Sequence, residues 1–376
     1  MSIKTAATPA RAGLGRNALH LGMGQVVTTV LTMVLSAAIA RTLGAAEFGL
    51  LYLVTSIANF AYVFVDWGHG PYVTREIARR PDRSGELVGS VLLVRAATAV
   101  LMCVLAVGIT WLLGYDGKTR LLAGLLIVAW LPQYLGLTFS WVFRGSERME
   151  YDAVLQVVLK LTTVALALLV LRSGGRLLAL MPAYAVSGTV VLVVALHLYR
   201  RLGYPSLHAS ARTARELIRD GASMMAIAMA VAVQPYIDAN LLYTLAPRSV
   251  VGWYGAAWGI AGTLVAPAMI LGATMYPRLS RVSGDPVEFR RTLTTAFRTL
   301  LGVAILGAVG TYLFADLAIS VVYSRDKFGP AAAILRAFTP ALLLIYIDML
   351  LGHAIMAAGS AGRLAKAKVV AVVVTT

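Results

Sequence analysis

Charged and amide side chains lie inside long apolar runs of this sequence, and they are the groups that could do chemistry there. Gln156 and Lys160 are four residues apart, and Gln234 and Asp238 have the same spacing, so each pair would share one face of a helix. Arg95 lies in a third run. Because a charge in hydrocarbon is costly, such residues usually face a bundle interior or a water-filled cavity.

Positive charge dominates these runs, since Arg95, Lys160 and Arg336 outnumber the deep acidic residues. A cavity with a positive lining suits an anionic head group such as a phosphate or pyrophosphate. We therefore predict that Arg95 and Lys160, which we expect to have no deep carboxylate beside them, attract such a group. Further candidate binding residues are Gln156, Gln234, Asp238 and Asn59, the last from a polar stripe in another run.

A purely structural role is the alternative for each of these residues. Arg95, Lys160 and Asp238 could form internal ion pairs that hold helices together. The Ser and Thr residues of the polar stripes could bond to their own helix backbone. Arg336, close to the start of its run, could extend its charge to the membrane interface.

No enzyme constellation accompanies these residues. The histidines are scattered without metal-ligand spacing, and no glycine-rich loop followed by Lys-Ser or Lys-Thr could cradle a phosphate. The predicted outer loops are too short to carry a catalytic domain. The sequence therefore predicts neither an enzyme nor a bound cofactor or metal.

The composition requires helices that cross a membrane. Of 376 residues, 59% are hydrophobic and 13% are charged, against about 25% charged in a soluble domain. We predict an all-α integral membrane protein with roughly ten complete spans and a truncated eleventh near Val369. The predicted spans are 18–40, 48–68, 88–113, 121–143, 151–171, 177–199, 221–246, 250–273, 297–319 and 331–358.

The net charge of +16 reports topology rather than nucleic-acid binding. Most of the Lys and Arg residues fall in segments on the same side as the N-terminus, and such segments are cytoplasmic. We therefore predict a cytoplasmic tail (1–17), an N-lobe of six helices (18–200), a basic cytoplasmic linker (201–220) and an incomplete C-lobe (221–376).

An internal repeat supports two lobes of the same orientation. Thr42-Leu43 is matched by Thr244-Leu245, and Pro71 to Arg75 is matched by Pro277 to Arg281. The offset of roughly 200 residues covers an even number of helices, and parallel repeats of this kind build transporters whose halves rock about a cavity. Two complete lobes would need roughly 410 residues at this offset, so we expect a longer C-terminus.

Several motifs resemble those of one family. They are Ala40 to Gly49, Asp66-Trp67-Gly68, Phe143 to Arg148, Asp238 to Tyr243 and Val251 to Ala257. Together they resemble the Wzx-type polysaccharide-biosynthesis flippases, which handle lipid-linked oligosaccharides, of the multidrug/oligosaccharidyl-lipid/polysaccharide (MOP) exporter superfamily. The resemblance covers most of residues 17–360 and adds Arg41, by its depth and lobe, to the candidate residues.

The resemblance implies two six-helix lobes around a cationic cavity, in the inner membrane of a bacterium. It also implies movement of an undecaprenyl-pyrophosphate-linked oligosaccharide to the periplasmic leaflet by alternating access, for O-antigen, capsule or exopolysaccharide synthesis. Membrane lipids are implied partners. Coupling to H⁺ or Na⁺, and contact with other polysaccharide-assembly membrane proteins, stay open.

Two other functions are compatible with a polytopic helical chain. A multidrug (MATE-like) antiporter would be expected to carry deep acidic groups in the N-lobe, where the only candidate is Asp66, near a helix end. A membrane glycan polymerase or ligase would need a long outer loop with catalytic residues, which the predicted topology lacks.

Overall fold

The computed structural model describes residues 14–358, and within that range the chain is helical with no β-strand. The helices are α1 Leu14–Asp66, α2 His69–Arg79, α3 Ser84–Leu112, α4 Gly117–Gly145, α5 Met149–Arg172, α6 Leu180–Arg201, α7 Ala211–Leu245, α8 Arg248–Arg281, α9 Pro286–Val322, α10 Arg325–Phe328, α11 Ala331–Ala337 and α12 Thr339–Ala357. Eight helical stretches of the described residues are long and apolar enough to cross a membrane. The predicted all-helical membrane fold is confirmed.

Two predicted boundaries differ from the structure. The first two predicted spans lie in one long helix, α1, which is broken only at Gly44 (φ 82°, ψ 174°); this backbone conformation is open almost exclusively to glycine. The tenth predicted span is divided into α11 and α12 just before Pro340, because proline lacks the N–H that would continue the helix. The predicted eleventh span lies outside the described residues.

The chain folds as two compact units. Unit 1 comprises Met1–Thr32 with Ala61–Ala226, and unit 2 comprises Met33–Phe60 with Ile227–Thr376. This division differs from the predicted lobes at two places. Residues 33–60, the part of α1 that contains the break, pack with unit 2, and the predicted linker packs with unit 1.

Each described unit has its own apolar core. In unit 1 the core lies around α4, where Phe139 and Phe143 pack with residues of α2, α3 and α6 such as Ile77, Val91 and Tyr199. In unit 2, small and large side chains of α8, α9 and α12 interlock, with Ala268, Ala296, Leu300, Ala304, Tyr346 and Leu350 buried together. The outward faces carry large exposed apolar residues, as expected of helices that face lipid.

Candidate functional site

Arg95 is a deeply buried cation of unit 1, and it is ion-paired. Its side chain is 2% exposed and bonds to the carboxylate of Asp66. The guanidinium also donates to the Tyr134 carbonyl at 2.6 Å and to Thr138 Oγ1 at 2.7 Å, and it stacks 4.2 Å above the Trp141 ring. The expectation that no deep carboxylate lies beside Arg95 is therefore wrong. These contacts tie α3 and α4 to the end of α1.

The pairing of Asp66 with Arg95 escaped sequence reasoning because the two residues lie on different helices. The one sequence feature that could have indicated the pairing is membrane depth, because both residues lie a few residues inside predicted spans, near the same predicted membrane face. Depth does not say whether two side chains point toward each other, because that depends on the rotation of each helix.

Lys160 differs from the other predicted membrane cations. Within residues 14–358 it makes no hydrogen bond and no ion pair, and it is only partly exposed. Gln156 lies one turn away on the same side of α5, and Ala153 lies two turns away. The Ala153 methyl group would lie 3.3 Å from a methyl added at Gly24. Lys160 thus lies on the flank of α5 that packs toward the first half of α1, away from the exposed residues Val154 and Leu161.

Asp238, the predicted acidic binding residue of unit 2, is half-buried. Its Oδ2 accepts a hydrogen bond from the Tyr254 hydroxyl at 3.0 Å, and the Tyr254 ring packs against Tyr52 with centroids 5.9 Å apart. Asn59 is exposed on α1. The side chain of Gln234 lies outside the described residues.

Arg41 completes the end of a helix. Its guanidinium donates to the carbonyls of Val321 and Val322, the last residues of α9, whose carbonyls have no partner within the helix. The Arg41 carbonyl in turn accepts from Lys327 Nζ at 2.7 Å. Arg336 also has a partner, since it bonds to the Asp316 carboxylate. Both arginines thus make contacts that stabilise unit 2.

Two hydroxyl groups of the polar stripe in the first predicted span bond to their own helix, whereas Ser36 Oγ of the same stripe lies 3.0 Å from the Tyr323 hydroxyl. Thr28 donates to the Gln25 carbonyl at 3.0 Å, and Thr32 donates to the Thr28 carbonyl at 2.7 Å. These bonds match the structural alternative for such residues. Among residues 14–358, no three His, Cys, Asp or Glu side chains come together as metal ligands would.

Residues 205–217, which we call the docked linker, run across the start of α3. The backbone N–H of His208 donates to the Gly85 carbonyl at 3.3 Å, and that of Ser210 donates to Ser90 Oγ at 3.0 Å. A methyl group added at Gly89 would lie 2.3 Å from the His208 carbonyl oxygen. Gly85 and Gly89 therefore form a face that the linker backbone can approach closely.

A charged network holds the same segment. Arg83 lies within 3.4 to 3.7 Å of the carboxylates of Glu76, Glu86 and Glu216, and Thr213 bonds to Glu86. Just before the linker, Tyr204 stacks on Tyr199, and burial of its phenol raises the pKa of Tyr204 above its usual value. The segment predicted as a connection between lobes is thus fixed to unit 1.

The sequence matches one protein family and is similar to several proteins named as transporters or flippases. The family model described as "Polysaccharide biosynthesis protein" matches residues 14–283. A "Probable low-salt glycan biosynthesis flippase Agl15" of Haloferax volcanii is 20% identical over 362 residues, covering 96% of this chain and 75% of the relative. A "Putative O-antigen transporter" of Escherichia coli (strain K12) is 21% identical over 360 residues, covering 91% of this chain and 83% of the relative.

Solved structures share the fold. The "Lipid II flippase MurJ, inward closed conformation" superposes with a TM-score of 0.75 at 12% identity, covering 95% of this chain and 79% of that chain. An "Inward-facing conformation of a multidrug resistance MATE family transporter of the MOP superfamily" gives a TM-score of 0.74 at 14% identity, covering 95% and 88%. The predicted MOP-like fold is confirmed. Both flippases and drug transporters are built on this fold, so the fold alone does not select between them.

Proposed function

Because the chain belongs to the polysaccharide biosynthesis protein family, we propose that it is a flippase for a lipid-linked oligosaccharide. Its relatives include proteins named as a glycan flippase and as an O-antigen transporter. The proposed substrate is an undecaprenyl-pyrophosphate-linked oligosaccharide that moves to the periplasmic leaflet of a bacterial inner membrane. Alternating access is the proposed mechanism, with the N-terminus in the cytoplasm.

The single structural observation that carries this proposal is the state of Lys160. Two of the three predicted membrane cations, Arg95 and Arg336, are ion-paired with aspartates. Lys160 has no such partner among the described residues. It lies roughly 17 Å along α5 from Met149, at about 1.5 Å per residue, which is near the middle of a hydrocarbon core of about 30 Å. A lysine at that depth is stabilised by an anion, and a pyrophosphate supplies one.

The antiporter alternative is weaker because the acidic groups it would use are already paired. Carrying a proton or Na⁺ needs a carboxylate that is free to bind it, and the two carboxylates of unit 1 that lie inside predicted spans, Asp66 and Asp152, are both bonded to arginines. Asp66 bonds to Arg95, and Asp152 accepts from Arg144 Nε at 2.6 Å.

A glycan polymerase or ligase is also weaker. The connections after α3, α5, α7 and α9, on the predicted outer side, contain few residues outside helices, so they offer no domain for catalysis.

Substitution of Lys160 tests the proposal. Lys160→Ala and Lys160→Arg are compared for export of surface glycan at matched protein levels, in a strain of the native host that lacks the chromosomal copy. We expect alanine to lower export at least tenfold and arginine to retain much of it. The control is Arg336→Gln, which removes a membrane cation that already has a partner and should keep export within about twofold.

A second variant separates substrate binding from helix pairing. If Lys160 only neutralised Asp238, the Lys160→Ala/Asp238→Ala double variant would recover the export that the single variant lost. Substrate binding predicts that the double variant stays inactive. Recovery of export, or normal export by Lys160→Ala, would remove the substrate role from Lys160.

A further inference from the structure

An open groove of about 570 Å³ lies in unit 1 between α2 and the C-terminal end of α4. We call it the α2–α4 groove. Its polar lining consists of Thr74 and Arg75 from α2, Trp141 and Arg144 from α4, and Glu147 from the following turn. The volume is in the usual range for small-molecule sites, about 300–1,000 Å³. None of the candidate residues for the proposed transport function lines it.

Arg144 is held in place from the side that faces the protein. Its Nε donates to Oδ2 of Asp152 at 2.6 Å, and the Asp152 side chain is fully buried. The other Asp152 oxygen is buried as well and has no hydrogen-bond partner in the described part of the chain. This pair fixes the guanidinium through Nε, and the Arg144 side chain remains partly exposed at the groove. Its two Nη groups are therefore oriented before any ligand arrives.

Arg75 supplies the second guanidinium. It is exposed, and within residues 14–358 it forms no ion pair; its contact is with the Tyr72 ring, 5.8 Å away. The carboxylate of Asp220 also interacts electrostatically with Arg75, but it accepts its hydrogen bond from Arg219 Nε at 2.8 Å. Arg75 is thus an available donor on the wall opposite Arg144.

The groove combines groups that can recognise a phosphate ester whose alcohol part, such as a glycerol or a sugar, carries hydroxyl groups. Two guanidiniums bind phosphate oxygens by charge-assisted hydrogen bonds, and the Thr74 hydroxyl adds a donor. The Glu147 carboxylate lowers the net charge, but it can accept from hydroxyl groups of a glycerol or a sugar.

The surroundings of the groove indicate a membrane surface. Arg79 ends α2, Arg80 comes directly after it, and Arg148 follows Glu147. Basic segments of this kind border the cytoplasmic membrane surface in the predicted topology, where anionic head groups lie. We propose that the α2–α4 groove binds the phosphate-bearing head group of a lipid in the cytoplasmic leaflet. This site goes beyond the proposed transport function.

Two lipids share this chemistry: an anionic phospholipid and a polyprenyl diphosphate. The experiment counts lipids bound to the full chain by native mass spectrometry, in a neutral detergent. Phosphatidylglycerol and undecaprenyl diphosphate are titrated separately, and phosphatidylcholine is the reference. Binding of either anionic lipid through Arg75 supports the proposal, and the lipid that binds identifies the source.

Arg79 provides a matched control on the same helix. Arg75→Gln and Arg79→Gln each remove one exposed positive charge from α2, but only Arg75 lines the groove. We expect about tenfold weaker binding for Arg75→Gln and less than a twofold change for Arg79→Gln, with partial recovery in Arg75→Lys. Equal losses in the two glutamine variants, or no binding above the phosphatidylcholine reference, would overturn the proposal.

The binding assay requires no transport. Lys160 is not part of the groove lining, so the Arg75→Gln binding measurement tests the groove and the Lys160→Ala export measurement tests the transport role. The groove and the proposed transport role of Lys160 can therefore fail independently.

Discussion

We predict that removing Asp66 destabilises the protein more than removing Arg95, because the two partners of this ion pair are unequally buried. The Arg95 side chain is 2% exposed, whereas that of Asp66 is 42% exposed. Asp66→Leu therefore leaves a fully buried cation without its carboxylate, and breaking a buried pair in this way costs about 3–5 kcal/mol. We expect that loss in the free energy of unfolding.

Arg95→Met should cost less, although it removes the larger side chain. Methionine fills much of the arginine volume, and the half-exposed Asp66 carboxylate can be solvated. The Tyr134 carbonyl also keeps a donor, because the Thr138 hydroxyl lies 3.1 Å from it. We expect a loss of about 1–2 kcal/mol, mainly from the charge-assisted hydrogen bonds. The Arg95→Met/Asp66→Leu double variant should fall within about 1 kcal/mol of the wild type.

The measurement is SDS-induced unfolding of the full chain in mixed micelles, followed by circular dichroism. The control pair is Arg336 and Asp316, whose side chains are 34% and 67% exposed; either single substitution there should cost at most about 1 kcal/mol. If Arg95→Met destabilises as much as Asp66→Leu, or if the two losses simply add in the double variant, burial of an unpaired charge does not control stability here.

Three further predictions concern other parts of the molecule. Single cysteines at Ala209 and Gly284 should react with a membrane-impermeant thiol reagent only from the cytoplasmic side, and one at Lys118 only from outside; outside labelling of Ala209 would contradict the charge-based topology. Gly89→Val should destabilise the protein by about 1–3 kcal/mol and speed hydrogen exchange at residues 206–210, because the new side chain meets the His208 carbonyl, whereas Gly108→Val, with open space around it, should not. Tyr254→Phe should cost about 1 kcal/mol through the lost bond to Asp238, and an unchanged unfolding midpoint would show that this bond stabilises nothing.

The sequence alone was enough to establish the class of protein and its fold family. Apolar runs such as 88–113 and 151–171 appear in the structure as α3 and α5, because partition into a membrane depends on the composition and length of each segment by itself. The motifs around Arg41 and Arg144 were enough to indicate the family, since a motif is a local property of the chain. The depth of Lys160 followed in the same way, from counting residues along one helix.

The structure alone decided which polar groups are paired. Arg95 and Lys160 look equivalent in sequence, yet Arg95 is bonded to Asp66 whereas Lys160 has no ion pair in the described part of the chain. The arginine-rich segment after α6 reads as a free connection, but Gly85 and Gly89 let its backbone dock on α3. Both outcomes depend on how helices that are distant in sequence are rotated and how closely they approach, and those quantities are set by packing across the whole unit, not by any single segment.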